Sequence, residues 1–201
     1  MPRVEFIFDF GSPNAYFSHK IIPDIERRTG AKFEYVPGLL GGIFKLTGNK
    51  PPMVQFQGIK NKPEYEQLEM RRFVERHKIA AYKFNPFFPV NTLKIMRGAV
   101  AAEKRGILLP YVDAVFHFMW EDPRKMDEPE VIREALAEKG FDAQGLMALA
   151  ESQEVKDGLM RNTEDAVARG VFGSPSFFVG KELYFGKDRL RDVEEEIARQ
   201  T

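Results

Sequence analysis

The run Phe8-Asp9-Phe10-Gly11-Ser12-Pro13-Asn14-Ala15-Tyr16 constrains the fold of this chain more than any other segment. Apolar residues of strand type stop at a glycine, and a helix opens on Ser-Pro. Serine is a favoured N-cap because its hydroxyl oxygen accepts one of the unpaired N–H groups of the first turn. Proline suits the first helical position, where its missing N–H would have no partner. The junction therefore sets a hydroxyl beside free N–H groups and the positive end of a helix dipole, which favours an anion. A plain cap and an anion-stabilising hydroxyl are compatible roles for Ser12, because the same groups reward both.

The rest of the chain is organised around that start. Val4, Phe6 and Phe8 alternate with Glu5, Ile7 and Asp9, as in a strand of a covered sheet. A helix is predicted from Pro13 to about Thr29, stopped by Gly30, and a second strand from Phe33 to Val36, closed by Pro37. A β-α-β order makes these two strands parallel. From about Leu39 to Arg169 the periodicity is helical, with helices predicted over Glu64–Lys78, Leu93–Arg105, Tyr111–Glu121, Glu128–Lys139, Ala143–Glu151 and Glu154–Arg169. Asp127, Asp142 and Ser152 are candidate caps, and Gly106, Gly140 and Gly170 candidate stops. Strands return at Ser176–Val179 and Leu183–Phe185 as a hairpin, before a last helix, Arg189–Arg199, capped by Asp188. The fold class is α/β, with residues 1–38 and 170–201 forming one discontinuous domain around a helical insertion, residues 39–169.

Composition narrows the function. Thirty basic residues balance thirty acidic ones, so no bulk field favours nucleic acid or an anionic membrane. No apolar run reaches the length of a membrane span, and Met1-Pro2-Arg3 leads straight into a strand; the expected location is the cytoplasm. The 201 residues include no cysteine, which excludes an internal disulfide, a cysteine zinc site and self-contained disulfide exchange. His19, His77 and His117 lack metal-ligand spacing, so no metal is expected.

Three stretches, in this order and spacing, resemble the kappa-class glutathione transferases and the 2-hydroxychromene-2-carboxylate isomerases. They are Phe8 to Pro13, then Gly41-Gly42-Ile43-Phe44-Lys45 through Gly48-Asn49-Lys50-Pro51-Pro52, then Val171-Phe172-Gly173-Ser174-Pro175 with Gly186-Lys187-Asp188-Arg189-Leu190. The resemblance covers nearly the whole chain. It implies a thioredoxin-like domain, a central mixed sheet with a helical insertion, in which Ser174-Pro175 is a cis-proline loop facing the Ser12 helix start. It also implies a homodimer and bound glutathione, the thiol that a cysteine-free chain of this fold must borrow.

By the same resemblance, Ser12 holds the glutathione sulfur as its thiolate, aided by Pro13 and Asn14 at the helix start. Asn49 binds near glutathione, the backbone of Ser174 before Pro175 pairs with the tripeptide, and Lys187, Asp188 and Arg189 hold its γ-glutamyl end. Relatives often carry serine or asparagine where Lys187 stands. Lys45 is the candidate cation for a substrate carboxylate, and Asn91 matches a substrate-side position of the isomerases. Taken from position alone, Asn49 is a turn residue, Asp188 and Asn91 are helix caps, Lys45 is a solvated charge, and Trp120 with the Lys83–Asn91 aromatic loop is core or interface. The expected activity is glutathione-dependent isomerisation of an aromatic carboxylate. A kappa-like transferase and a non-catalytic glutathione- or peptide-binding module are the alternatives.

Overall fold

The computed structural model describes residues 1–201. β1 (Val4–Phe8), β2 (Phe33–Pro37), β3 (Ser176–Val179) and β4 (Glu182–Phe185) form one sheet in the order β2-β1-β3-β4. β1 runs parallel to β2, with Val4 opposite Phe33, and antiparallel to β3, with Val4 opposite Val179. The predicted parallel pair and hairpin are both present, joined edge to edge into a mixed sheet.

All five residues of β1 are buried, because both faces of the sheet are covered. Val4, Phe6 and Phe8 belong to the large core, where the Phe6 ring stacks on Phe177 at 5.3 Å. Ile7, on the opposite face, joins a smaller core with Ile43, Ala166, Val171 and Phe178. The period-2 alternation of a strand creates this division. Each fully buried phenylalanine contributes about 1.5–3 kcal/mol of transfer free energy.

α1 (Pro13–Thr29) follows β1 and ends at Gly30, whose φ of 74° places it in the left-handed region that glycine adopts freely. Between β2 and β3 the chain is helical: α2 (Leu40–Thr47), α3 (Pro52–Gln55), α4 (Lys62–Arg76), α5 (Leu93–Lys104), α6 (Leu108–Trp120), α7 (Pro129–Glu138), α8 (Ala143–Ala150) and α9 (Gln153–Ala168). After β4, a 3-10 turn at Lys187–Arg189 leads into α10 (Leu190–Arg199). No helix is long and apolar enough to cross a membrane. Sheet and helices share the large core: Phe8 and Phe10 meet Phe116 of α6, and Trp120 is fully buried, as core rather than interface.

Three sequence expectations are corrected. The stretch Gly41 through Pro52, which by resemblance would be the glutathione-side loop, begins inside α2, a helix that opens on Leu40-Gly41-Gly42. Docking outweighs the poor helix propensity of two glycines there: the Leu39 N–H donates to the Thr163 hydroxyl of α9 at 3.0 Å, and a side chain at Gly42 would lie 3.0 Å from the Thr163 methyl. Asp127 does not cap α7; Glu128 occupies that position, without a side-chain capping bond. Asp188 does not cap α10 but lies within the 3-10 turn, its carboxylate taken by Lys187. Asp142 and Ser152 do cap, accepting from Gly145 N–H and Val155 N–H.

Candidate active site

Ser12 caps α1 and does more. Its Oγ accepts the Ala15 N–H at 3.2 Å while its hydroxyl donates to the Ser174 main-chain carbonyl at 3.0 Å. The Ser174–Pro175 peptide bond is cis, as the Gly-Ser-Pro-Ser-Phe-Phe setting predicts. The Ser174 carbonyl accepts from no other group of the chain, and the Ser174 N–H has no acceptor within it. Ser12 and Ser174 are both buried, so a hydroxyl, a carbonyl and a free N–H sit together beside the first turn of a helix. That set can stabilise an anion at Ser12 and pair with an extended peptide at Ser174.

Asp9 holds this arrangement in register, and sequence reasoning missed it. It is fully buried; Oδ1 accepts the Gly11 N–H at 2.8 Å, and Oδ2 accepts the Leu40 N–H at 2.8 Å and the Thr92 hydroxyl at 3.1 Å. Its own N–H donates to the Ser174 Oγ at 3.2 Å. One residue therefore ties the β1–α1 turn to the starts of α2 and α5 and to the cis-proline loop. Burial pushes the Asp9 carboxyl above its ordinary range, and the bonds from Leu40, Gly11 and Thr92 offset only part of that. Gly11 sits in tight quarters: a Cβ there would lie 3.1 Å from the Thr92 methyl and 3.2 Å from Asp9 Oδ1, so those neighbours would have to give by a few tenths of an ångström. The available signal was an acid inside the apolar run Phe6-Ile7-Phe8-Asp9-Phe10. Trp120 closes the floor, its Nε1–H donating to the Phe10 carbonyl at 2.9 Å.

The structure brings most of the predicted site residues to this place. Pro13 and Asn14 form the first turn of α1, both half-buried. The Gly186 N–H donates to the Pro175 carbonyl at 2.9 Å, which sets the Lys187–Asp188–Arg189 turn against the cis-proline loop. Lys187 is buried, its ammonium 2.6 Å from Asp188 Oδ1 and 4.7 Å above the Phe73 ring. Arg189 is exposed and pairs with Asp192. Asn49 follows α2 and donates from Nδ2 to the Phe172 carbonyl at 2.8 Å, two residues before Ser174. Asn91 is exposed and accepts the Leu93 N–H at 3.1 Å, but it does not cap α5; Thr92 holds the N-cap position. Lys45 lies exposed on the last turn of α2 and bonds to none of these groups.

A separate cleft of about 460 Å³ lies between α1 and α6, and Ser12 is not in its wall. Glu121, on its floor, accepts from the Tyr16 hydroxyl at 2.9 Å, Lys20 at 3.1 Å and His117 at 3.0 Å. Burial alone would raise the Glu121 carboxyl, but the bonds from His117, Lys20 and Tyr16 outweigh it and hold the pKa at about 2. Its partners are thus satisfied within the chain, and it reads as a structural ion cluster.

Comparison with known proteins agrees with this fold. The family model of the DsbA-like thioredoxin domain matches residues 3–198. A 2-hydroxychromene-2-carboxylate isomerase of Sphingobium xenophagum is 28% identical over 196 residues, 95% of each chain. Human glutathione S-transferase kappa 1 is 26% identical over 204 residues, 94% of this chain and 88% of that protein. A solved 2-hydroxychromene-2-carboxylate isomerase superposes with a TM-score of 0.84 at 24% identity, covering 98% of this chain and 95% of the other, and at that identity it speaks to the fold.

Proposed function

The chain belongs to the DsbA-like thioredoxin family, and from that premise we propose that it is a glutathione-dependent isomerase of the 2-hydroxychromene-2-carboxylate type. The observation that carries the reading is the Ser12 hydroxyl at the α1 start, facing the Ser174 carbonyl, in a chain without cysteine. The donor set fits a cysteinyl peptide: an anion-stabilising hydroxyl and first-turn N–H groups for a thiolate, and a free N–H at Ser174 for a peptide backbone. When bound, glutathione would supply a thiolate nucleophile for reversible addition to a conjugated double bond of an aromatic carboxylate, and it would be recovered unchanged.

The protein's own part is binding and electrostatics. Ser12 donates to the sulfur and, with the dipole of α1, favours its ionised form. Ser174 orients the peptide. The Lys187–Asp188 pair and Arg189 stand against the cis-proline loop, where the γ-glutamyl end would lie, and Asn49 fixes the Phe172 carbonyl beside it. Lys187, already paired with Asp188, contributes mainly by holding that carboxylate in place. Asn91 borders the substrate side through its neighbour Thr92, and Lys45 remains the candidate cation for the substrate carboxylate. The likeness to glutathione S-transferase kappa 1 favours one second reading, a transferase in which the same thiolate stays on the product.

Two measurements test this. Ser12→Ala should raise the pKa of the bound glutathione thiol and cut turnover about 10²-fold, the scale of losing one well-placed donor; an ultraviolet thiolate titration identical in variant and parent would refute the Ser12 assignment. Mass spectrometry of a completed reaction with 2-hydroxychromene-2-carboxylate then separates the activities. Unchanged glutathione beside isomerised product supports the isomerase, and one adduct per substrate consumed makes the protein a transferase.

A further inference from the structure

The Ser12 hydroxyl has one proton, and within the chain that proton is already committed. It points to the Ser174 carbonyl at 3.0 Å, while the Ser12 oxygen is occupied by the Ala15 N–H at 3.2 Å. To donate to a sulfur, the hydroxyl must leave the carbonyl. The Ser174 carbonyl would then be a buried acceptor with no donor, because nothing else in the chain reaches it. An unsatisfied buried acceptor is costly, and that cost opposes ionisation of any thiol at Ser12. It disappears when the incoming molecule brings its own N–H to the carbonyl.

We infer that Ser12 and Ser174 form a proton switch thrown by the ligand's backbone: an amide N–H of the bound thiol replaces the Ser12 hydroxyl on the Ser174 carbonyl, and the freed hydroxyl turns to the sulfur. The inference rests on the reading of Ser12 as a thiolate site and deepens it, because it names the class of thiol that is activated. A cysteinyl peptide, with an amide N–H attached directly to the carbon that bears its CH₂S group, can throw the switch. A simple thiol without an amide can occupy the site but leaves its proton in place. Nothing is consumed: one hydrogen bond to the carbonyl breaks as another forms, and the Ser12 proton stays on its oxygen throughout.

The geometry is held rigidly enough for such an exchange. The cis-proline loop is pinned from beneath by the Asp9 N–H on the Ser174 Oγ, and from the side by the Asn49 amide on the Phe172 carbonyl. The Ala15 N–H anchors the Ser12 oxygen, so the hydroxyl hydrogen can rotate while the oxygen stays put.

The test compares glutathione with its depsipeptide isostere, in which an ester oxygen replaces the cysteinyl amide N–H and adds no bulk. Affinity is measured by calorimetry in acid, where both thiols are protonated, and the thiol pKa by ultraviolet absorbance of the saturated complexes. Glutathione on the parent protein should ionise about one unit or more below the free thiol value near 8.5. The ester should bind within about tenfold of glutathione, the scale of one neutral hydrogen bond, yet ionise about one unit higher. Ser12→Ala should erase the pKa difference between the two ligands, and Ser12→Thr, which keeps a hydroxyl, should restore it. An ester that ionises as readily as glutathione on the parent, that loses binding altogether, or that keeps its pKa difference in Ser12→Ala overturns the switch while leaving the thiolate site intact. If glutathione itself shows no lowered pKa on the parent, the thiolate site fails and the switch with it.

Discussion

Replacement of Asp9 probes the frame that holds the site. In the native chain its carboxyl accepts from Gly11 N–H, Leu40 N–H and the Thr92 hydroxyl, with no cation nearby to balance a charge. Asp9→Ala strands two main-chain donors at about 1–3 kcal/mol each, while the Thr92 hydroxyl can turn elsewhere; water entering the space recovers part of this, which leaves about 2–4 kcal/mol. That is a large share of a domain stability of roughly 5–15 kcal/mol. Asp9→Asn keeps the shape and one acceptor oxygen but sets an NH₂ against the donors on the other, costing about 1–3 kcal/mol. The pH dependence carries the sharper test. Burial raises the Asp9 carboxyl above its ordinary 3.8, so the folded chain holds that proton more tightly than the unfolded chain. Its contribution to stability is fully present below the unfolded value and is lost as pH rises through the raised folded value. Asparagine cannot ionise and shows no such loss. The deficit of Asp9→Asn relative to the parent, followed by urea unfolding at several pH values between about 4 and 8, should therefore narrow as pH rises. A deficit that widens with pH would mean that the three donors stabilise a carboxylate, and the assignment of burial as the dominant influence would be wrong.

Glu121 carries the opposite sign. Its carboxyl is depressed to about 2, so its contribution is fully present above the ordinary carboxylate value of 4.5 and is lost as pH falls towards 2. Glu121→Gln should cost about 1–2 kcal/mol near neutrality, after allowance for solvent reaching the cleft, and nothing in strong acid; an equal cost at both ends of an acid titration of stability would contradict this. Trp120→Phe removes the donor to the Phe10 carbonyl and part of a fully buried ring, and should lower stability by about 2–3 kcal/mol with an unchanged urea m-value. Far-ultraviolet circular dichroism must follow it, because Trp120 is the one tryptophan of the chain.

What the sequence determined by itself is local. The Ser12 cap, Pro13 at the first position of α1 and Gly30 at its end act within a few residues of one another, and their hydrogen bonds form whatever lies beyond. The caps Asp142 and Ser152 and the β3–β4 hairpin are of the same kind. The ordered motifs also mark the fold family to which the chain belongs. Tertiary structure decided the rest. The helix at Leu40–Thr47 carries two glycines and little local preference, and exists because α9 presents Thr163 to it. Resemblance alone gives Lys187 a ligand's γ-glutamyl end to hold, whereas folding buries it over Phe73 and commits its charge to Asp188. Asp9 looks like the last residue of a strand until donors from 31 and 83 residues away converge on it. The Ser12 hydroxyl finds its acceptor across 162 residues of chain. A cap is satisfied by neighbours the sequence supplies next to it, whereas a buried acid or a committed proton takes its character from groups that only packing brings within reach.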